Sequence, residues 1–365
     1  MKNFVKNTYT NKIGVICIAA GKTQKPLILK AKSLGYVVIA IDRNRKAPGF
    51  KYADFKIYES THNANAIIKV LRKFKPKLKL IGILNRSSGP PVITAAKISK
   101  FLNLPGVPIK SAESLVNKDK MRLICSKQKI PTPNYKIYSI NKYKKNDSHK
   151  FPIVIKPGLS LIGKSGVSVV HSKNEIDLAI KYAEKCSINK KILIEEYLKG
   201  PDFTLISFVN NGKLFPICLL EEINIEDKNG VILPKGYRTL KKDYKEWNQK
   251  ASAIARKIVS KFKIKRSALM ISVRPNSKNY LKLIEVHLDI GGDLLIEAFF
   301  PKALPFDFLQ LSIEMATGNA ICPVNFNLKP TAIFYKDGTV SKKGYKILTS
   351  NSNQMLNKKI LDLKI

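Results

Sequence analysis

Three short segments carry polar groups in patterns that could do chemistry. Leu283 to Asp293 reads LIEVHLDIGGD. On a strand, side chains at i, i+2 and i+4 share a face, so Glu285, His287 and Asp289 should point one way while Ile284, Val286 and Leu288 point into packing. A carboxylate and an imidazole so spaced could hold a divalent ion such as Mg²⁺, with water and phosphate oxygens completing its shell. A solvated edge strand is the other reading. Gly158 to Ser165 reads GLSLIGKS, which satisfies the phosphate-cradling pattern GxxxxGK[ST]. That loop needs a helix after it. The residues that follow, GVSVVHS, are β-branched and alternating, so a flap between antiparallel strands is expected instead. A flap can still bind phosphate through its amides, with Lys164 and Ser165 as added donors; a plain surface turn is the alternative. Ile192 to Asp202, ILIEEYLKGPD, is an apolar strand that ends in two acids and becomes an extended segment able to offer backbone groups to a planar base.

These segments need a scaffold, and the hydrophobic pattern supplies one. Ile13 to Ala20 (IGVICIAA) is a continuous apolar run of strand length. Gly21, a helical pattern through Leu34, and a second strand, Tyr36 to Asp42, follow it. Strand, helix, strand is the crossover unit of a parallel sheet. With a helix at Ile67 to Phe74 and a strand at Leu78 to Leu84, the first hundred residues read as an α/β layer domain of Rossmann type. It has no GxGxxG, so no dinucleotide follows from the fold. LPGVP (Leu104 to Pro108) marks a boundary, and a helix from Lys118 to Lys129 ends at Ile130-Pro131-Thr132-Pro133, because proline cannot continue the ladder. Short strands are expected at Ile153 to Lys156, Val167 to Val170 and Ile192 to Glu196. Phe203 to Val209 and Leu214 to Leu219 should form a hairpin around Asn211-Gly212. A loop is expected around Gly236, then a helix from Asn248 to Phe262 and strands near Leu269 to Val273 and Tyr280 to Leu288. The last 45 or so residues read as a small β-rich tail.

Composition bounds the partners. The 365 residues carry 66 Lys and Arg against 26 Asp and Glu, a formal charge of +40. Such a surplus first suggests a polyanion. It consists of 57 Lys and only 9 Arg. Groove readers favour the bidentate Arg fork, so the lysines read as solvated surface and a nucleic-acid partner is not expected. Five cysteines (Cys17, Cys125, Cys186, Cys218, Cys322) form no CxxC pair, which argues against a zinc module or disulfide framework and fits a reducing cytoplasm. No run approaches 18 apolar residues, so no membrane span is expected.

In this order the segments resemble the ATP-grasp superfamily over roughly residues 13 to 320. The N-terminal half, with LGYVVIAID and APGFKYADF, is similar to the domain that precedes the grasp in the biotin carboxylase and purine-biosynthetic carboxylase branch. NKDKMRLICSKQKIPTP (Asn117 to Pro133) and FPIVIKP (Phe151 to Pro157) look like the elements that bring two lysines, here Lys120 and Lys156, to nucleotide phosphates. The resemblance implies that Gly163, Lys164 and Ser165 form the glycine-rich lid loop. It also implies that Glu195, Glu196, Tyr197 and Leu198 line the adenine, that Asp202 meets the ribose, and that Leu283 contacts the nucleotide.

The implied layout is a Rossmann-like domain (1–108), an ATP-grasp domain (109–320, lid about 134–200) and a C-terminal segment (321–365), mixed α/β and then α+β. The family's metal strand usually reads Glu-x-Asn-x-Arg; Glu285, His287 and Asp289 stand there instead. A further carboxylate usually lies on the preceding strand, where this chain has Ser272, Val273 and Arg274. The implied activity is an ATP- and Mg²⁺-dependent (or Mn²⁺-dependent) ligase joining a small carboxylate to an amine through an acyl phosphate. Lys156, Arg238 and Arg274 are its candidate catalytic residues, and a homodimer is compatible with this reading. The alternative is a degenerate grasp scaffold that binds nucleotide or polyanion without chemistry.

Overall fold

A computed structural model describes residues 12–73, 78–143, 148–160, 164–240, 244–292, 294–319, 326–336 and 344–362. The first sheet is parallel, in the order β3-β2-β1-β4, built from β1 (Lys12–Ile18), β2 (Val37–Ile41), β3 (Phe55–Ile57) and β4 (Leu78–Asn85). Helices α1 (Lys25–Ser33), α2 (Ala64–Lys73) and α3 (Pro90–Phe101) make its crossovers. Because strand side chains alternate, Ile16, Ile18, Ile39 and Ile41 pack on one face with Ile67, Leu71 and Ile98 of α2 and α3. Val15, Cys17, Val38 and Ala40 face the other way and share one apolar cluster with Ile206, Phe208, Phe299, Phe300 and Leu311 from the second half of the chain. The two halves are therefore joined through a continuous core.

Two helices, α4 (Ile109–Val116) and α5 (Lys118–Lys127), lead to a small antiparallel sheet, β5-β8-β6-β7, made of β5 (Tyr135–Ser139), β6 (Ile153–Pro157), β7 (Ser168–Val170) and β8 (Lys191–Glu196). Helix α6 (Ile176–Cys186) covers it, burying Ile176, Ala179, Ile180 and Ala183 against Ile153, Ile155, Ile192 and Ile194. Strands β6 and β7 are antiparallel, as a flap between them requires.

A seven-stranded sheet follows, in the order β13-β12-β9-β10-β11-β14-β15. Its members are β9 (Asp202–Asn210), β10 (Lys213–Glu226), β11 (Ile232–Thr239), β12 (Arg266–Pro275), β13 (Leu281–His287), β14 (Thr331–Tyr335) and β15 (Tyr345–Thr349). Asn211 and Gly212, at φ 48° and 75°, turn β9 into β10, the conformation an Asn-Gly hairpin demands. One face packs under α7 (Tyr244–Lys261) through Ala251, Ala255 and Ile258. The other meets the shared core, where α8 (Phe300–Ala303) and α9 (Phe308–Thr317) lie. Helix α10 (Asn353–Leu361) closes the chain against β14 and β15 through Leu356.

The loop expected around Gly236 is a strand. Gly236 lies within β11, paired to Ile223 on one side and Phe334 on the other. A Cβ there would sit 1.8 Å from the Ile333 carbonyl oxygen, so this glycine serves close strand approach rather than a turn. The final strands extend the large sheet.

Candidate nucleotide site

Helix α5 begins at the site. Its inward face carries Lys118, Met121, Arg122 and Cys125, at the i, i+3, i+4 and i+7 spacing of one helical stripe; the last three are buried. Lys118 Nζ lies 2.7 Å from Glu285 Oε1 on β13. The sequence reading assigned Lys120 to the phosphates; Lys120 instead lies on the exposed side of α5, because two residues along a helix turn a side chain by more than half a circle.

Arg122, fully excluded from solvent, holds Glu195 with both arms of its fork, Nε to Oε1 at 2.8 Å and Nη2 to Oε2 at 3.0 Å. It also donates to the carbonyls of Leu283 and Ile284 at 3.1 and 2.9 Å. Lys156 on β6 approaches Glu195 Oε2 at 2.7 Å. Burial would raise the Glu195 carboxyl, but Arg122 and Lys156 together hold it below the usual carboxylate range. Burial pushes the Lys156 ammonium down to about 8; Glu195 opposes this while Arg122 and Lys118 add to it. The two groups respond differently because Glu195 has two cations against it and Lys156 a single anion.

Strand β8 ends at Glu196, and Tyr197 and Leu198 follow it. Glu196 is engaged by Lys282 and by Asn134 Nδ2 at 2.9 Å. Asp202, at the start of β9, receives the Arg274 fork, with Nε to Oδ1 at 2.6 Å. Arg274 also donates to the Leu198 carbonyl at 3.1 Å and lies over the Tyr197 ring at 5.4 Å. Arg274, expected as a catalytic residue, thus braces the extended segment at Tyr197 and Leu198, the hinge between β8 and β9. Leu283 is fully buried on β13; its amide donates to Pro131 at 2.8 Å.

The flap is closed. Lys164 ion-pairs with Glu222 of β10 and donates to Asn224 Oδ1 at 2.6 Å, while Asn224 Nδ2 donates to Asp202 Oδ2 at 2.8 Å. The amide of Val169 donates to the Gly230 carbonyl at 2.8 Å, in the turn between β10 and β11. Ser165 turns away, its Oγ 3.4 Å from Cys186 Sγ. Gly163 lies outside the described residues. Arg238 is also elsewhere: buried on β11, it reaches Asn357 of α10 and lies 3.6 Å from Glu221, so it fastens the C-terminal helix to the sheet.

The three expected metal ligands do not converge. Glu285 has Lys118 on one oxygen, and His287 Nε2 lies 3.6 Å from the other. Burial would lower the His287 imidazole, but the Glu285 carboxylate outweighs it and pushes the ring up to about 9. Strand β13 ends at His287, so Asp289 leaves the alternation and its Oδ1 accepts from the Gly291 amide at 2.9 Å. Ser272, not an acid, stands opposite Glu285 on β12. Among the described residues no group of three or more His, Cys, Asp and Glu side chains is placed to hold an ion. The residues present do not fit a protein-held metal.

Arg86 follows β4 and is almost wholly buried. It ion-pairs with Glu297, Nη2 to Oε2 at 2.8 Å, and donates to the carbonyls of Gly291 and Thr23 at 3.0 and 2.7 Å. No periodic pattern marks it, since its partners lie 63 and more than 200 positions away.

Residues 149–297 match the family model of the ATP-grasp domain. Among curated proteins the chain is 27% identical to a formate-dependent phosphoribosylglycinamide formyltransferase of Prochlorococcus marinus over 95% of both chains. It is 32% identical to the enzyme of that name from another strain, over 56% of this chain and 52% of that one. Among solved structures it superposes on an L-amino acid ligase from Bacillus licheniformis with a TM-score of 0.76, 16% identity and 98% of each chain covered. An N5-carboxyaminoimidazole synthetase from Staphylococcus aureus, complexed with ADP, gives 0.74, 14% and 98% of each chain.

Proposed function

We propose that the protein is an ATP-dependent ligase that joins a small carboxylate to an amine through an acyl phosphate. The observation that carries this reading is Lys156, a buried ammonium held by Glu195 at the start of the hinge, with Lys118 and the flap's Lys164 parked on other carboxylates. Cations paired to acids can turn to phosphate oxygens when nucleotide binds, which is positioning plus electrostatics rather than covalent chemistry. In the first step a carboxylate oxygen attacks the γ-phosphorus and ADP leaves. In the second the amine nitrogen attacks the acyl carbon, inorganic phosphate leaves, and the nitrogen gives up a proton. Lys118, Lys156 and Lys164 balance the charge as it moves, and closure of the flap over bound nucleotide would keep water from the acyl phosphate.

The relatives named above support the substrate class: one set is named for formate and phosphoribosylglycinamide, and a neighbour of the same fold for L-amino acids. A magnesium ion accompanying the nucleotide is expected from the class. This chain would offer it Glu285 alone, and no step here passes through it.

A screen of phosphate release over pairs of small carboxylates and amines tests the reading. ADP and phosphate should appear only when a matching acid and amine are both present, and Lys156→Ala should abolish the release. Absence of ATP or ADP binding by calorimetry would sink the proposal.

A further inference from the structure

We propose that Arg122 is a positioning residue for the phosphate-binding lysine: it holds Glu195 in place and divides that carboxylate's charge, leaving Lys156 free to turn to phosphate. This rests on the nucleotide-site reading above.

Four hydrogen bonds fix the guanidinium, two to Glu195 and two to the carbonyls of Leu283 and Ile284. The carbonyls belong to β13 and the carboxylate to β8, so Arg122 sets Glu195 relative to a strand on a different sheet. Stability alone explains such an arrangement poorly, because buried ion pairs replaced by apolar groups of similar size are often no less stable. Arithmetic of charge explains it better. Arg122, Glu195 and Lys156 carry one net positive charge between them. Without Arg122, Glu195 and Lys156 would form a closed neutral pair, and a phosphate would have to displace a carboxylate with no other partner. With Arg122 present, both Glu195 oxygens already accept from the guanidinium, and Oε2 is shared with Lys156. The ammonium keeps donors for an incoming anion.

The charged groups that face Lys156 are Glu195 on β8 and Arg122 and Lys118 on α5. Of these, Arg122 and Lys118 favour loss of the Lys156 proton and Glu195 opposes it. Removing Arg122 should therefore make Lys156 hold its proton to higher pH while binding phosphate less well at neutral pH.

The test is calorimetry of the full-length protein with ADP and with adenosine, from about pH 7 to about pH 10, on wild type, Arg122→Met and Arg122→Lys. For wild type, ADP affinity should fall as pH rises through about 8. Arg122→Met should bind ADP about tenfold more weakly at neutral pH, lose affinity at a higher pH than wild type, and bind adenosine nearly as wild type does. Arg122→Lys keeps the charge and one bond to Glu195, so its pH midpoint should match wild type with an intermediate loss of affinity. Should Arg122→Met not fold, Arg122→Lys carries the test on those two readouts. If wild type binds ADP and the variants match it in affinity and pH profile, or lose ADP and adenosine equally, Arg122 is merely structural and the inference is overturned. If wild type binds no ADP, the site reading itself fails.

Discussion

Lys118 and Lys120 are two positions apart in a run that reads KDK, yet one meets Glu285 and the other meets solvent. Charge-assisted bonds to phosphate contribute roughly 1.5 to 3 kcal/mol each, so Lys118→Ala should weaken ADP binding by about ten- to a hundredfold. Lys120→Ala should leave it unchanged, and a paired calorimetric titration decides between them. The choice was legible in principle, since Met121 and Cys125 mark the inward face and place Lys118 and Arg122 on it. His287 offers a second test. Its folded proton affinity, near 9 against an ordinary 6.5, means that the folded state binds the proton more tightly. The stability this contributes is complete below about pH 6.5 and is lost as pH rises through about 9. Thermal unfolding of the nucleotide-free protein should show Tm falling by about 2 to 4 °C across that window, and His287→Asn should remove that part of the slope. Asp289 shows where strand periodicity stops informing: the alternation that aligned Glu285 and His287 ends with the strand, and a carboxylate two residues beyond it turns to a backbone amide.

At the scale of elements, the lid is held by a glycine. Gly230 has φ 73°, and a Cβ there would lie 2.1 Å from the Val169 carbonyl oxygen, so Gly230→Ala adds backbone strain of about 1 kcal/mol and forces β7 away from the turn. The expected result is ADP affinity about fivefold weaker and faster proteolysis near residues 160–172, with Tm of the main transition little changed. An unaltered lid cleavage rate would refute it. Elements with local signals were legible: the apolar run of β1 and the Asn-Gly turn between β9 and β10. Strand β11 was not, because Gly236 looks like a loop residue until Ile333, almost a hundred positions later, comes within reach of it. A similar separation hid the partners of Arg238, which the sequence offered as a candidate catalytic residue and the fold uses on Asn357.

For the whole molecule, the +40 charge and the nucleotide site predict different responses to salt. Non-specific nucleic-acid binding by surface lysines should fall by about a thousandfold between about 50 and about 200 mM salt. ADP binding, which engages a few lysines inside a closed site, should fall by less than about tenfold over the same range. Filter binding and calorimetry at matched salt measure both; equal slopes would mean that ADP is held by the general surface charge. Arg86 has a consequence for anyone who would recombine this chain. Its guanidinium comes from the loop after β4, yet Glu297 and the Gly291 carbonyl, its partners, come from the far half of the sequence. A chimera that imports a foreign N-terminal domain inherits an orphaned Glu297 unless the donor also brings an arginine at the end of its fourth strand. The practical seam for domain exchange therefore includes the loop after β4 together with residues 291–297, and a cut made at the proline-rich linker alone leaves the halves mismatched in charge.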